Sequence, residues 1–250
     1  AIKVSENLVL FGSTNNTFYA LDLAGREVWK FNTLARIKGD PLVVGKTVIF
    51  GSYDKHLYAL NLSNGRRAWV YPDDDGAADA AVGAAPANNP MAPPPPPPNG
   101  APPPPPNGTA PPPSPNGAKN GKDAKDPKAA AAPEPPPPPV VEKIVPGDGF
   151  SYSSPVLVGE NVVLGNLDGY VYAVNAQTGA FAWRFKTDGA DAKKGVTSTV
   201  VETADALVFG ANDSNVYAIS KDGKSVKWKF KTGDEVNATA TLDSDGNIYI

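Results

Sequence analysis

The sequence predicts an all-β protein built from a repeated unit, and three observations on its 250 residues support this class. Glycines, Tyr-Ala pairs and tryptophans recur in four copies at nearly fixed offsets. Between them, short runs rich in Val, Tyr, Phe and Trp alternate with Gly, Asp and Asn turn signals, as strands and turns do. No stretch keeps the apolar period of about 3.6 residues that an amphipathic helix needs. Each copy is therefore predicted to be a small set of short strands.

The repeat positions are the most regular feature of the chain. In every copy the tyrosine follows the glycine by 7 residues, and the tryptophan follows the tyrosine by 10 or 11 residues. Residue types that recur in this way are expected to have structural roles, because a catalytic residue is normally present once. These structural repeat positions are Gly12, Gly51, Gly165 and Gly210, Tyr19, Tyr58, Tyr172 and Tyr217, and Trp29, Trp69, Trp183 and Trp228.

The third copy shows how one unit divides into strands. Four strands are predicted at residues 154–158, 161–166, 170–175 and 180–186, with turn signals between them. Four strands in about 40 residues are typical of a β-propeller blade. Continuous apolar runs such as 171–174 indicate that both faces of a blade are buried between its neighbours. A β-sandwich is the alternative, but it would not explain the repeat.

A proline-rich segment separates two parts of the array. All but three of the 28 prolines lie within residues 73–147, a stretch with too few large apolar side chains to offset the entropy of ordering its backbone. We expect it to be a disordered insert in a loop between blades. Residues 1–72 are then predicted to form blades one and two, and residues 148–250 to form blades three and four and the start of blade five. The expected fold is therefore a partial β-propeller of four-stranded antiparallel blades.

Composition excludes several classes of function. The net charge is -3 and no Lys/Arg cluster lies on a predicted strand, so nucleic acid is not an expected partner. No apolar run is long enough for a membrane-spanning helix. The chain has no cysteine and one histidine, which excludes disulfides, thiolate metal sites and sites with several histidines.

The remaining candidates for chemistry also have structural explanations. Asp54, Asp168 and Asp213 occupy the same turn in three copies, between the second and third strands, and are predicted to form that turn. Residues 243–246 resemble part of a calcium loop but lack the rest of its pattern, so a β-turn is predicted. His56 is expected to be a half-exposed strand residue. No catalytic, cofactor-binding or metal-binding residue is predicted.

The copy of the repeat that shows its pattern most completely lies at residues 164–185 and carries Gly165, Tyr172-Ala173, Gly179 and Trp183. This pattern resembles the PQQ-like β-propeller repeat, whose members include quinoprotein dehydrogenases and BamB-type lipoproteins that assist outer-membrane barrel assembly. The resemblance implies that each repeat tryptophan docks against a neighbouring blade, and that the protein is periplasmic or otherwise in the cell envelope. Such propellers usually have seven or eight blades, so we expect remaining blades or a partner to close the ring.

Three functions are kept as hypotheses. The first is a non-catalytic, extracytoplasmic interaction scaffold with a protein partner and no cofactor. The second is a fragment of a PQQ-dependent quinoprotein dehydrogenase whose PQQ and calcium ligands lie outside this chain. The third is a sensor or surface domain of a larger membrane-anchored protein. The insert is expected to be a spacer, with a ligand for a proline-binding module as the alternative.

Overall fold

The repeat folds into a series of antiparallel sheets. The computed structural model describes residues 2–73, 83–84, 144–150 and 152–250. The first sheet contains β1 (Lys3–Ser5), β2 (Leu8–Gly12), β3 (Thr17–Asp22) and β4 (Glu27–Asn32), and the second contains β5 (Leu42–Val44), β6 (Thr47–Gly51), β7 (Leu57–Asn61) and β8 (Arg67–Tyr71). The two-residue strand β9 (Gly83–Ala84) pairs with β4 at the edge of the first sheet.

The third and fourth sheets repeat the same order. The third contains β10 (Val156–Val158), β11 (Asn161–Gly165), β12 (Tyr170–Asn175) and β13 (Phe181–Lys186), and the fourth contains β14 (Val201–Glu202), β15 (Leu207–Ala211), β16 (Asn215–Ile219) and β17 (Val226–Lys231). A hairpin of β18 (Thr241–Leu242) and β19 (Ile248–Tyr249) begins a fifth sheet. A short 3-10 turn, Ala190–Ala192, lies between the third and fourth sheets.

The same irregularity occurs in all four blades. The alanine of each Tyr-Ala pair lies opposite the repeat tryptophan, and the register shifts by one residue immediately after that alanine. Such a bulge increases the local twist of the strand pair. Because the bulge is the same in every copy, the offset from tyrosine to tryptophan varies only with the length of the turn between the third and fourth strands.

The hydrophobic core lies between neighbouring sheets. Val48 and Phe50 pack towards the first blade, whereas Ile49 of the same strand packs towards the third. Rings from adjacent blades meet directly, as Phe18 and Phe50 do with centroids 4.2 Å apart. The continuous apolar runs of the sequence therefore correspond to strands that are buried on both faces. The predicted partial propeller is confirmed, and the described sheets do not close into a ring.

The boundaries of the insert differ from the prediction. Residues 144–147, which were assigned to the insert, lie against the blades: Tyr71 Oη donates to Ile144 O at 2.7 Å, and Lys55 Nζ donates to Gly147 O at 3.0 Å. Gly83–Ala84 also forms a strand. The rest of the predicted insert, residues 74–82 and 85–143, lies outside the described residues.

His56 was wrongly predicted to be half-exposed. It lies immediately before β7 and is 7% exposed. Its Nδ1 is 3.5 Å from Asp54 Oδ1, and its ring is 5.8 Å from that of Tyr58. The turn that Asp54 builds brings the imidazole inward, which strand alternation alone does not predict.

Candidate functional site

The repeat tryptophans connect one blade to the next. Trp29 Nε1 donates to Leu62 O of the second blade at 2.8 Å. Gly65 has a φ of 67° and would place a Cβ 2.6 Å from the indole of Trp29. Only glycine combines this backbone conformation with that contact. The contact with a glycine recurs for Trp69 with Gly179 and for Trp183 with Gly223, and Trp69 Nε1 also donates to Ala176 O at 3.0 Å.

Trp228 is the exception among the four tryptophans. It is 42% exposed, and its neighbours on β17, Val226 and Phe230, are 48% and 64% exposed. The described residues of the fifth sheet comprise only β18 and β19, so they include no third-to-fourth-strand turn that could cover this indole.

The repeat glycines lie under the segments that connect the blades. We call these linker 1 (residues 33–41), linker 2 (144–150 and 152–155), linker 3 (187–200) and linker 4 (232–240). A Cβ at Gly51 would lie 2.6 Å from Phe150 Cβ, and one at Gly165 would lie 2.5 Å from Val196 O. Gly12 and Gly210 are covered in the same way by Ile37 and Val236. Each glycine therefore allows a linker to cross the end of the second strand.

The repeat tyrosines hold the turn aspartates. Tyr58 Oη donates to Asp54 at 2.9 Å, Tyr172 Oη to Asp168 at 2.7 Å, and Tyr217 Oη to Asp213 at 2.6 Å. Burial, followed by these hydrogen bonds, raises the pKa of Tyr172 and Tyr217. In the first blade Asn15 takes the position of the aspartate, and its Nδ2 donates to Tyr19 Oη at 2.8 Å.

The same aspartates also fix the preceding linker. Asp54 accepts the backbone N–H of Leu34 at 2.9 Å, and Asp168 accepts that of Gly147 at 2.9 Å. Asp213 accepts the N–H of Gly189 at 3.0 Å. The three carboxylates are thus occupied by a tyrosine hydroxyl and by backbone donors. Each carboxylate also accepts the backbone N–H two residues further on, as in the predicted turn. Packing of the tyrosine and placement of the linker are roles in addition to that turn.

The linkers meet on one surface, which we call the linker face. Asp40 N donates to Ser154 Oγ at 3.0 Å, Ser154 N to Thr199 Oγ1 at 3.1 Å, and Thr199 N to Thr239 Oγ1 at 3.1 Å. Each of these four residues lies two positions before the start of the first strand of a sheet. One hydrogen-bonded row therefore joins four successive linkers.

A cluster of two cations and two tyrosines lies on the linker face. Arg36 Cζ is 4.4 Å from the ring centroid of Tyr53, and Lys38 Nζ is 4.6 Å from that of Tyr152. Lys38 Nζ also donates to Tyr152 Oη at 2.9 Å. This hydrogen bond and the nearby positive charges lower the pKa of Tyr152. We call Arg36, Lys38, Tyr53 and Tyr152 the tyrosine–cation cluster.

A cavity of about 330 Å³ adjoins this cluster. It is lined by Tyr152, Thr197, Asn212 and Asn237, so Tyr152 belongs to both features. Thr197 Oγ1 lies 2.7 Å from Asn237 Oδ1 and 3.0 Å from Asn212 Oδ1. Amide and hydroxyl groups of this kind can both donate and accept hydrogen bonds. The arrangement can bind a polar ligand.

The remaining sequence candidates do not form a chemical centre. Asp243 accepts hydrogen bonds from the backbone N–H groups of Asp245 and Asn247 and from Tyr249 Oη, as a turn residue does. Among residues 2–73, 144–150 and 152–250, no three His, Cys, Asp or Glu side chains are grouped so that they could hold a metal ion. Within the same part of the chain, no helix has the length and apolar character to cross a membrane.

The linker face does not follow from the repeat landmarks, because those landmarks lie in strands and turns and not in the linkers. A signal was present, since linker 1 carries Arg36 and Lys38 where linker 3 carries Gly195 and Thr197.

Comparison with solved structures supports the fold. BamB from Moraxella catarrhalis is similar at 12% identity, with a TM-score of 0.56 over 98% of this chain and 52% of that chain. The computationally designed Ika8 protein shares 11% identity, with a TM-score of 0.57 over 99% and 56%. The WD40 β-propeller domain of Doa1 shares 12% identity, with a TM-score of 0.57 over 99% and 58%. The chain thus spans about half the length of these structures.

Sequence comparison identifies the family. No curated protein matches this sequence. The family model described as outer membrane protein assembly factor BamB matches residues 2–90 and 145–248. These two ranges include the four complete blades and the β18–β19 hairpin as far as Ile248. The chain therefore belongs to the BamB-like family of PQQ-type propeller repeats.

Proposed function

We propose that this chain is a non-catalytic scaffold of the cell envelope that binds a protein partner through its linker face. The observation that carries the proposal is that the repeated polar residues and the non-repeated polar residues have different roles. The repeated aspartates Asp54, Asp168 and Asp213 hold tyrosines and linkers. The polar residues that are not repeated, such as Arg36 and Tyr152, lie exposed on the linker face. Loops on a rigid β scaffold are common positions for partner binding.

Membership of the BamB-like family supports the envelope location. The family description names an outer-membrane assembly factor, and the similar Moraxella catarrhalis structure is a BamB. We propose a periplasmic or other extracytoplasmic location and a protein of the envelope as the partner.

We also propose that the chain uses no cofactor. PQQ-type chemistry requires a calcium ion held by several oxygen ligands, and the described residues do not fit such a group: no three carboxylates or histidines converge, and each turn carboxylate already accepts a tyrosine hydroxyl. If PQQ with Ca²⁺ produced a saturable quench of tryptophan fluorescence in this chain, the quinoprotein hypothesis would replace the proposal.

Affinity capture from envelope extracts tests the scaffold function. The whole chain serves as bait, and a peptide of residues 73–147 serves as the control because it carries the proline-rich segment without blades. We expect a defined protein to be retained by the whole chain and not by the peptide. Equal retention by both would contradict the proposal, because binding would then reside in the insert.

A further inference from the structure

Linker 1 departs from the repeat at two positions. The linkers can be aligned by the residue that covers the repeat glycine and donates its backbone N–H to the strand end: Ile37 N to Ser13 O at 3.1 Å, and Val196 N to Asn166 O at 2.9 Å. By this alignment Arg36 corresponds to Gly195, and Lys38 corresponds to Thr197. Features that recur in every blade are explained by packing. Cations on both sides of the residue that covers the repeat glycine occur in linker 1 and at the aligned positions of no other described linker, so packing alone does not explain them.

Aromatic rings hold these cations in place. Lys38 Nζ lies 4.6 Å from the Tyr152 ring centroid and 5.8 Å from that of Tyr53, while Arg36 stacks on Tyr53. The two rings contact each other edge-on at 6.1 Å. Such contacts reduce the side-chain freedom that would otherwise be lost on binding. Linker 1 also carries the acidic Asp40, but its two cations leave the segment with a net positive charge.

The surface next to the cations suits a polypeptide. Tyr152 is 47% exposed and leads from the cations to the cavity lined by Thr197, Asn212 and Asn237. Guanidinium and ammonium groups bind carboxylates through charge-assisted hydrogen bonds. Asparagine amides and the threonine hydroxyl can pair with peptide N–H and C=O groups. Cationic, aromatic and neutral polar groups from all four linkers therefore lie side by side.

We propose that the tyrosine–cation cluster and the adjoining cavity form a binding site for an acidic peptide segment of a partner protein. Arg36 and Lys38 bind a carboxylate side chain of the peptide, and Asn212 and Asn237 bind its backbone. The proposal rests on the scaffold function proposed above and adds the chemistry of the partner.

Titration of the full chain with a labelled peptide of alternating glutamate and serine, followed by fluorescence anisotropy, tests the site. We expect saturable binding that weakens with salt. Arg36→Gln and Lys38→Gln are each expected to weaken it by about tenfold. Lys46→Gln is the matched control, because it removes the same charge from the exposed β5–β6 turn at the other end of β5. It should leave binding unchanged.

Three results would overturn the site. They are equal binding of a peptide with glutamine in place of glutamate, equal weakening by Lys46→Gln, and competition by free glutamate at the peptide's own concentration, which would show that the peptide backbone contributes nothing. Circular dichroism of each variant checks that the fold is retained. If the envelope capture retains a partner while the acidic peptide does not bind, the scaffold function stands and the acidic-peptide site fails.

Discussion

At the scale of single residues, the repeat landmarks are positions where a neighbouring backbone segment or aromatic ring leaves no space for another residue type. The contact between Gly165 and linker 3 is an example, because a Cβ there would meet Val196 O at 2.5 Å. Residues of this kind can be tested by adding one methyl group and comparing positions that differ only in available space.

Gly165→Ala is predicted to lower the free energy of unfolding by about 1–3 kcal/mol, because the linker or β11 must move to relieve the overlap. Gly233→Ala is the control: a Cβ at Gly233 would meet nothing within 4 Å, and its φ is not positive. That variant should change stability by less than about 0.5 kcal/mol. Urea unfolding measures both. Equal stabilities would show that linker 3 does not depend on the glycine.

The buried phenols predict a loss of stability at alkaline pH. Burial raises the pKa of Tyr71 to about 12 from an ordinary value of 10.0. A pKa that is higher in the folded state means that the folded state favours the neutral phenol. This contribution to stability is fully present below about pH 10 and is lost as the pH rises towards 12. Ultraviolet absorbance of the phenolate, recorded with circular dichroism, should show ionisation of Tyr71 coupled to unfolding.

Tyr71→Phe is the control for this prediction. It removes the ionisation together with the hydrogen bond from Tyr71 Oη to Ile144 O. The variant should be less stable at neutral pH but should lose less stability between pH 10 and 12. An unchanged alkaline profile would mean that Tyr71 is not the group responsible.

At the scale of elements, the stability of each blade depends on the next blade along the chain. Trp69 of β8 is 8% exposed and reaches the third blade, whereas Trp228 of β17 is 42% exposed. The two tryptophans hold the same position in the repeat, so they offer a matched comparison of docked and uncovered indoles.

Trp69→Ala is predicted to cost about 3–5 kcal/mol of stability, since a docked indole and its hydrogen bond to Ala176 O are both lost. Trp228→Ala should cost clearly less, because nearly half of that side chain already faces solvent. Denaturant unfolding of the two variants under identical conditions checks this order. Equal losses would contradict the assignment of Trp69 as the contact between blades.

The strands were predictable because they follow repeated local signals. The predicted strand at 170–175 coincides with β12, and those at 154–158, 161–166 and 180–186 differ from β10, β11 and β13 by two residues or fewer. The linker face was not predictable in this way. It brings together Lys38 and Tyr152, which are 114 residues apart, and their proximity depends on how two blades pack. The exposure of His56 was wrongly predicted because a turn, rather than strand alternation, determines the burial of its side chain.

At the scale of the whole molecule, blade stacking and partner binding use different surfaces. The sheets bury their faces against one another, while the linkers form a hydrogen-bonded row through Ser154 and Thr199. The exposed β17 face with Trp228 and Phe230 resembles the docked blade faces in composition, so we interpret it as a blade-stacking surface. The linker face has a different chemistry, with cations, tyrosines and amides, and we assign partner binding to it.

Site-specific photo-crosslinking in intact cells tests this assignment most directly. A photoreactive phenylalanine derivative replaces Ala238 in linker 4 or, as the control, Lys46 in the β5–β6 turn; both positions are exposed. We predict a discrete crosslinked product with one envelope protein from position 238 and none from position 46. No product at position 238, or the same product at both positions, would contradict partner binding through the linker face.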